Sequence, residues 1–288
     1  LDELCLIAQR QVGGGARCRN DGLAGGGQVL SLVLSVATRE STLWRERHIM
    51  PALLRRTYPR ADGIIAVSDG IADDLRSYLS LPHDRVTVIN NPALTQEVLA
   101  RSEQPADHHW LDNPATARET IISVGRLDRQ KDFPTLIRAF AQLREAEPAL
   151  RLVIVGEGRE RANLESLVQT LGLTDCVDLP GFRTNPWAFM RRAALFVSSS
   201  AWEGFGNVHV EALGCGCPVV STDSPSGPAD ILEQGRIGPL VPIGDIAALT
   251  QAMRATLDNP LPKETLKARA MDFHIDSVIK RYCALMQI

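Results

Sequence analysis

Glu203-Gly204-Phe205-Gly206-Asn207-Val208-His209-Val210-Glu211 sets two carboxylates eight positions apart, with a glycine-rich turn after the first. The apolar run Ala194–Val197 precedes it and closes on Ser198, Ser199 and Ser200. Val208–Leu213 follows with helical spacing. The pattern predicts a strand, a loop carrying Glu203, and a helix with Glu211 about two turns in, at ~3.6 residues per turn. Glycines in such a loop let a ligand reach backbone N–H groups at a helix N-terminus, where anions are favoured. An acid there repels phosphate, so its natural partner is a hydroxyl. Two acids around an anion cradle suit a ligand with hydroxyls at both ends, such as a nucleotide sugar. The spacing alone is more often that of ordinary surface charges, so the rest of the chain has to decide.

From Thr120 onward short apolar runs alternate with helical periods. Thr120–Val124, Arg151–Val155, Cys176–Leu179, Ala194–Val197, Val219–Ser221 and Leu240–Val241 read as strands. Phe133–Leu143, Arg159–Leu171 and the stretches 186–193, 207–214, 227–233 and 245–257 read as helices. Such alternation predicts βαβ units, a parallel sheet and an α/β fold. Ligands of these sheets bind beyond the carboxyl ends of the strands. The glycine- and charge-bearing segments all fall there.

The flanks are specific. Trp202-Glu203-Gly204-Phe205-Gly206, with Glu211-Ala212-Leu213-Gly214-Cys215-Gly216-Cys217-Pro218-Val219-Val220-Ser221, resembles the signature of GT-B glycosyltransferases of the large retaining family 4. Val124-Gly125-Arg126-Leu127-Asp128-Arg129-Gln130-Lys131-Asp132-Phe133, Val155-Gly156-Glu157-Gly158 and Pro180-Gly181-Phe182 match the same family, in the right order. The resemblance runs from about residue 57 to the C-terminus. It implies a Rossmann-like, doubly wound parallel-sheet donor domain over 111–270. It also implies a partial N-terminal Rossmann-like, acceptor-side domain and connector over 1–110. A terminal helix at 271–288 would cross back to the N-terminal domain.

Each candidate residue has a role and a plainer alternative. Arg126 and Lys131 sit where a diphosphate needs cations. Arg offers a fork of donors and Lys a point charge, and Pro134 suits the first turn of the next helix. The resemblance implies that this pair holds the donor diphosphate as a leaving group; alternatively both are solvated. Gly125 gives the turn. Gly156 and Glu157 are either a plain strand-to-helix turn or lining of the donor pocket. Gly181 and Phe182 either pack near the base, with backbone groups offered to it, or Phe182 is core. The resemblance gives Glu211 the ribose hydroxyls, since a carboxylate accepts two bonds side by side. It sets Glu203 near the transferred sugar, with Gly204, Phe205, Gly206, Asn207 and Val208 lining the phosphate or sugar oxygens. A glycosidase-type carboxylate pair fits badly, because a ribose-binding Glu211 is too far from the anomeric carbon. His209 reads as a packing or surface histidine on another helix face, and His108-His109 as a solvated pair. Ser224-Pro225-Ser226-Gly227-Pro228 departs from the commoner Gly-Gly-x-Pro-Glu of relatives, as a changed sugar pocket or a different turn.

Composition narrows the classes. A net charge of -3 over 288 residues gives no argument for a nucleic-acid or anionic-membrane surface. No apolar run approaches the ~18 residues of a membrane span. Cys5, Cys18, Cys176, Cys215, Cys217 and Cys283 form no CxxC pair or metal spacing, which suits reduced thiols in a cytosol. No Asp-x-Asp has suitable context, so neither metal nor cofactor is expected beyond a nucleoside-diphosphate sugar as co-substrate. The expected partners are that donor and a sugar or lipid-linked acceptor, with peripheral association at the inner membrane face.

The N-terminal part is less regular. A basic helix is expected over 43–58, a strand at Gly63–Val67, a helix Gly70–Leu79 capped by Ser68, and a strand at Arg85–Ile89. Ala93–Arg118 reads as a connector. Residues 1–30 carry Gly13-Gly14-Gly15 and Gly25-Gly26-Gly27 without a clear period or a preceding strand, so the first half of that domain is expected to be missing. Arg39-Glu40-Ser41 stands where the family often has a histidine. Val278, Tyr282 and Met286 share one face of a terminal helix, which packs on either domain. The expected activity is retaining hexosyl transfer to a hydroxyl in polysaccharide or glycolipid synthesis. The alternatives are a non-catalytic nucleotide-sugar-binding fragment or a nucleotide-sugar epimerase. A dinucleotide oxidoreductase is disfavoured, since no G-x-G-x-x-G opens a helix after a strand.

Overall fold

A computed structural model describes residues 63–286, with Arg56, residues 58–61 and the strands at 4–7 and 33–36 ahead of them. The helix expected over 43–58 falls outside the described residues except at Arg56 and Tyr58. The glycine runs at 13–15 and 25–27 and Arg39-Glu40-Ser41 also lie outside them. The chain falls into two compact units, Leu1–Asn90 with Val278–Ile288, and Asn91–Ser277.

The first unit holds a four-stranded sheet in the order β1 (Leu4–Ile7), β2 (Val33–Val36), β3 (Gly63–Ala66), β4 (Val86–Val88). β1 runs antiparallel to β2; the other pairings are parallel. The expectation that no strand precedes the first glycine run is therefore corrected. Leu-Cys-Leu-Ile is too short to show a period, and only its pairing with β2 defines it. Ser68 caps the helix Asp69–Leu79 by accepting from the Ile71 N–H at 3.4 Å. Ile71, Ala72, Leu75 and Leu79 form its buried stripe, at the 3–4-residue spacing of a core-facing helix. Val278, early in the terminal helix Ile275–Met286, is buried with Ile65 and Ile89, and Tyr282 packs against them.

The second unit carries the long alternation. Its strands are β5 (Thr120–Val124), β6 (Arg151–Val155), β7 (Val177–Gly181), β8 (Leu195–Ser198), β9 (Val219–Thr222) and β10 (Leu240–Val241). They form one sheet in the order β10-β9-β8-β5-β6-β7, every pairing parallel. This is the doubly wound order, and its direction of winding reverses between β5 and β8. Such a switch point opens a crevice beyond the carboxyl ends of those two strands.

The helix Phe133–Ala146 buries Phe133, Leu136, Ile137, Phe140 and Leu143 in the same core as Ile121, Leu152 and Leu195. Leu249 and Met253 of the helix Ile246–Asp258 join it. Each such side chain contributes roughly 1.5–3 kcal/mol through burial. That core fixes where β5 and β8 end.

Three local readings change. His108, expected as half of a solvated pair, is buried, with Nε2 2.9 Å from Asp178 Oδ2. β7 runs on through Pro180 to Gly181 instead of stopping at Leu179. It is an edge strand, where a proline costs no ladder hydrogen bond. The connector 93–118 carries the helices Gln96–Ser102 and Pro114–Ala117. Among the described residues no helix is long and apolar enough to cross a membrane.

Candidate active site

The loops leaving β5 and β8 are stitched together, and that stitching builds the site. The Ala201 N–H donates to the Gln130 carbonyl at 2.8 Å, and Gln130 Nε2 donates to the Trp202 carbonyl at 2.9 Å. Ser199 Oγ donates to the Lys131 carbonyl at 2.8 Å. Held this way, Lys131 Nζ lies 2.5 Å from Glu203 Oε1, although the two are 72 positions apart in sequence. Ser200 Oγ donates to the same oxygen at 2.7 Å, and Ser200's own carbonyl accepts from Thr222 Oγ1 at 2.6 Å.

Glu203 is buried. Burial alone pushes its carboxyl up, but the Lys131 ammonium and the Ser200 hydroxyl outweigh it and hold the group below the ordinary carboxylate range. The acid is therefore ionised. An ammonium has three donors, and one is spent on Glu203. Lys131 keeps 16% of its side chain exposed and has donors left for an anion. Arg126 differs: its side chain is 75% exposed and only loosely paired, with Nε 3.6 Å from Asp128 Oδ2.

The helix Asn207–Gly214 coincides with the expected stretch 207–214, and Glu211, four residues after its first, sits little more than one turn in, not two. Gly206 caps it with φ +89°, a left-handed conformation that favours glycine. Glu211 is half-buried, and burial raises its carboxyl above the usual range. The neighbouring Trp187 indole works against that rise, yet its Nε1 forms no well-shaped hydrogen bond to the carboxylate. His209, expected as packing or surface, is fully buried. Phe205 is also buried, its ring edge-on to Phe273 at 5.6 Å, so its side chain belongs to the packing. Asn207 Oδ1 accepts from Asn91 Nδ2 at 3.0 Å, and Val208 is half-buried.

The remaining candidates line the adjoining strand ends. The Gly125 N–H donates to the Val155 carbonyl at 3.0 Å, and the Gly156 N–H to the Gly181 carbonyl at 3.0 Å. The ends of β5, β6 and β7 thus form one continuous rim. Glu157 is drawn sideways by Arg161 (Nη2–Oε1 2.7 Å), whose hydrogen bonds hold it below the carboxylate range. Phe182 stands on the rim 68% exposed, so it is not core. Gly204 is half-buried in the Glu203 loop. The departure at Ser224–Pro228 is a close-packed turn: a Cβ on Gly227 would lie 1.9 Å from the Phe205 carbonyl oxygen, so this loop braces the Glu203 loop. Sequence reasoning gave no role to Gln130, Ser199 or Ser200, and gave His209 only the packing or surface reading. The serine run ahead of Glu203 was the one visible signal.

Residues 108–272, more than half the chain, match the model of the family described as glycosyl transferases group 1, and residues 31–97 match that of glycosyltransferase family 4. The chain belongs to the glycosyl transferases group 1 family. It is 31% identical to the Campylobacter jejuni N-acetylgalactosamine-N,N'-diacetylbacillosaminyl-diphospho-undecaprenol 4-alpha-N-acetylgalactosaminyltransferase, over 85% of this chain and 65% of that one. It is 35% identical to the lipopolysaccharide core biosynthesis glycosyltransferase LpsE of Rhizobium meliloti, over 71% of this chain and 56% of that one. The chain thus spans less than two thirds of these curated relatives. Among solved structures, Anabaena HepE in complex with UDP superposes with a TM-score of 0.72 at 21% identity, over 89% of this chain and 72% of that one. Sucrose-phosphate synthase from Thermosynechococcus elongatus gives 0.69 at 24% identity, over 88% and 67%. These likenesses show the fold, which is α/β of the GT-B class.

Proposed function

We propose that this chain is a retaining glycosyltransferase. It moves a hexosyl unit from a nucleoside-diphosphate sugar to a hydroxyl acceptor in polysaccharide or glycolipid synthesis. The observation that carries the reading is the meeting of Lys131 with an ionised Glu203 at the β5/β8 switch point, beside a glycine-capped helix N-terminus. Arg126, Lys131 and that helix end bind the diphosphate and stabilise it as it leaves, by positioning and preorganised charge. They take the part that a divalent metal plays elsewhere. Glu203 faces the sugar and stabilises positive charge developing at its ring. Glu211 accepts from the ribose hydroxyls, and Phe182 and the Gly156–Gly181 rim lie against the base.

The second unit is the donor side and the first the acceptor side. The Campylobacter relative's name carries a diphospho-undecaprenol group, which supports a sugar or lipid-linked acceptor; we place its meeting with the enzyme at the inner membrane face. The test is a panel of labelled UDP-, GDP- and ADP-sugars with and without chelator. Binding of one donor, undiminished by chelator, and transfer with retained configuration support the reading. A strict magnesium requirement overturns the metal-free clamp. Release of an epimerised sugar nucleotide without acceptor overturns the transferase.

A further inference from the structure

The helix Asn207–Gly214 has a histidine on its buried side that takes no part in the reading above. The Gly206 carbonyl accepts twice from His209: from its backbone N–H at 2.9 Å and from Nδ1 at 2.9 Å. A Cβ on Gly206 would lie 2.6 Å from that Nδ1, so the imidazole fills the space the glycine leaves. On its other side Nε2 is 2.9 Å from Ser221 Oγ in β9, and the ring lies edge-on to Phe196 at 5.9 Å.

A carbonyl can only accept, so Nδ1 carries the proton in this network. Burial holds the imidazole below its ordinary pKa, against the pull of Glu203, and so keeps it neutral. A neutral Nε2 can only accept, so the single Ser221 hydroxyl proton is divided between it and the Thr222 carbonyl, each 2.9 Å from Oγ. The peptide joining Gly206 to Asn207 is planar and trans. Fixing its carbonyl therefore fixes the Asn207 N–H, the first donor of the helix, in the opposite direction.

We infer that His209 is a positioning residue: by holding the Gly206 carbonyl it aims the N–H groups at the start of the helix Asn207–Gly214 at the donor diphosphate. The inference rests on the donor-site reading above.

The test compares His209→Leu, His209→Asn and His209→Gln in this chain. Affinities are measured for UDP, GDP and ADP and for the matching nucleosides. Asn places an amide nitrogen where Nδ1 stands; Gln reaches only toward Ser221. His209→Leu is expected to weaken diphosphate binding about tenfold, roughly one lost hydrogen bond's effect at the ligand, and nucleoside binding less than about twofold. His209→Asn restores diphosphate affinity to within about threefold of wild type, and His209→Gln does not.

Equal loss for nucleoside and diphosphate, no loss at all, or rescue by Gln instead of Asn overturns the inference while the donor site stands. A wild-type chain that binds none of the three diphosphates overturns both. If the Leu variant does not fold, the Asn–Gln contrast decides by the same criteria.

Discussion

Glu203 and Glu211 lie eight positions apart, on one loop and the helix that follows it, yet their surroundings push them in opposite directions. Glu203 is the more deeply buried, but a cation and a hydroxyl converge on one of its oxygens and hold it ionised. Glu211 is half-buried beside an indole, with nothing comparable to offset its burial, and is drawn toward the neutral form. Paired acids whose environments split their proton affinities usually divide the work between them. A compensated carboxylate is part of the frame and supplies a fixed negative charge. An uncompensated one is waiting for donors that the protein does not provide. In the proposed function those donors are ribose hydroxyls.

Removing the compensation has the largest effect. Lys131→Ala leaves Glu203 buried without its cation, a change that typically costs about 3–5 kcal/mol. Urea denaturation at neutral pH should show that loss, and diphosphate binding should fall with it. Adding Glu203→Gln should recover much of the stability and none of the binding. A Lys131→Ala chain as stable as wild type would mean that the pair is not holding the two loops together.

Glu211→Gln tests the other half. Two hydrogen bonds to a charged acceptor, each worth ~1.5–3 kcal/mol at best, are weakened. Affinity for nucleoside and nucleoside diphosphate should fall alike, on the order of tenfold to a hundredfold. Stability should hold or rise at pH 8, because a raised folded pKa makes the charged form a cost that grows as pH climbs through it. Calorimetry that finds nucleoside affinity unchanged removes Glu211 from the site.

Arg126→Ala should do least. The side chain is mostly exposed, so stability should stay within about 0.5 kcal/mol. Diphosphate binding should weaken about tenfold while nucleoside binding stays put. Equal weakening of the two ligands would show that Arg126 does not address the phosphates.

Much of this was legible before the fold was seen. The strands from β5 onward were readable because each is an apolar run between turn residues, and the sheet that results carries the candidate residues on its carboxyl edge. The Lys131–Glu203 contact was not. Sequence set both on loops, but only the reversal of strand order between β5 and β8 makes those loops neighbours. His209 was hidden for a related reason. Its partners are a backbone carbonyl and a serine on another strand, and neither leaves a mark in local spacing. In the first unit β1 is four residues long and is defined by its cross-strand pairing, which no local pattern reports.

The contrast between the two acids can be measured directly by following the carboxyl carbons of Glu203 and Glu211 by NMR across a pH titration, with and without the nucleoside of the base that binds. The account predicts that Glu203 titrates below 4.5 and Glu211 above 4.5 in the free protein. It further predicts that the nucleoside lowers the Glu211 midpoint, because ribose donors favour the charged form, and leaves Glu203 where it was. The stabilising contribution of Glu203 is then present above its ordinary value and lost as pH falls through its lowered one. A Glu203 that titrates above Glu211, or a Glu211 midpoint that the nucleoside leaves unmoved, would contradict the division of labour between the two acids.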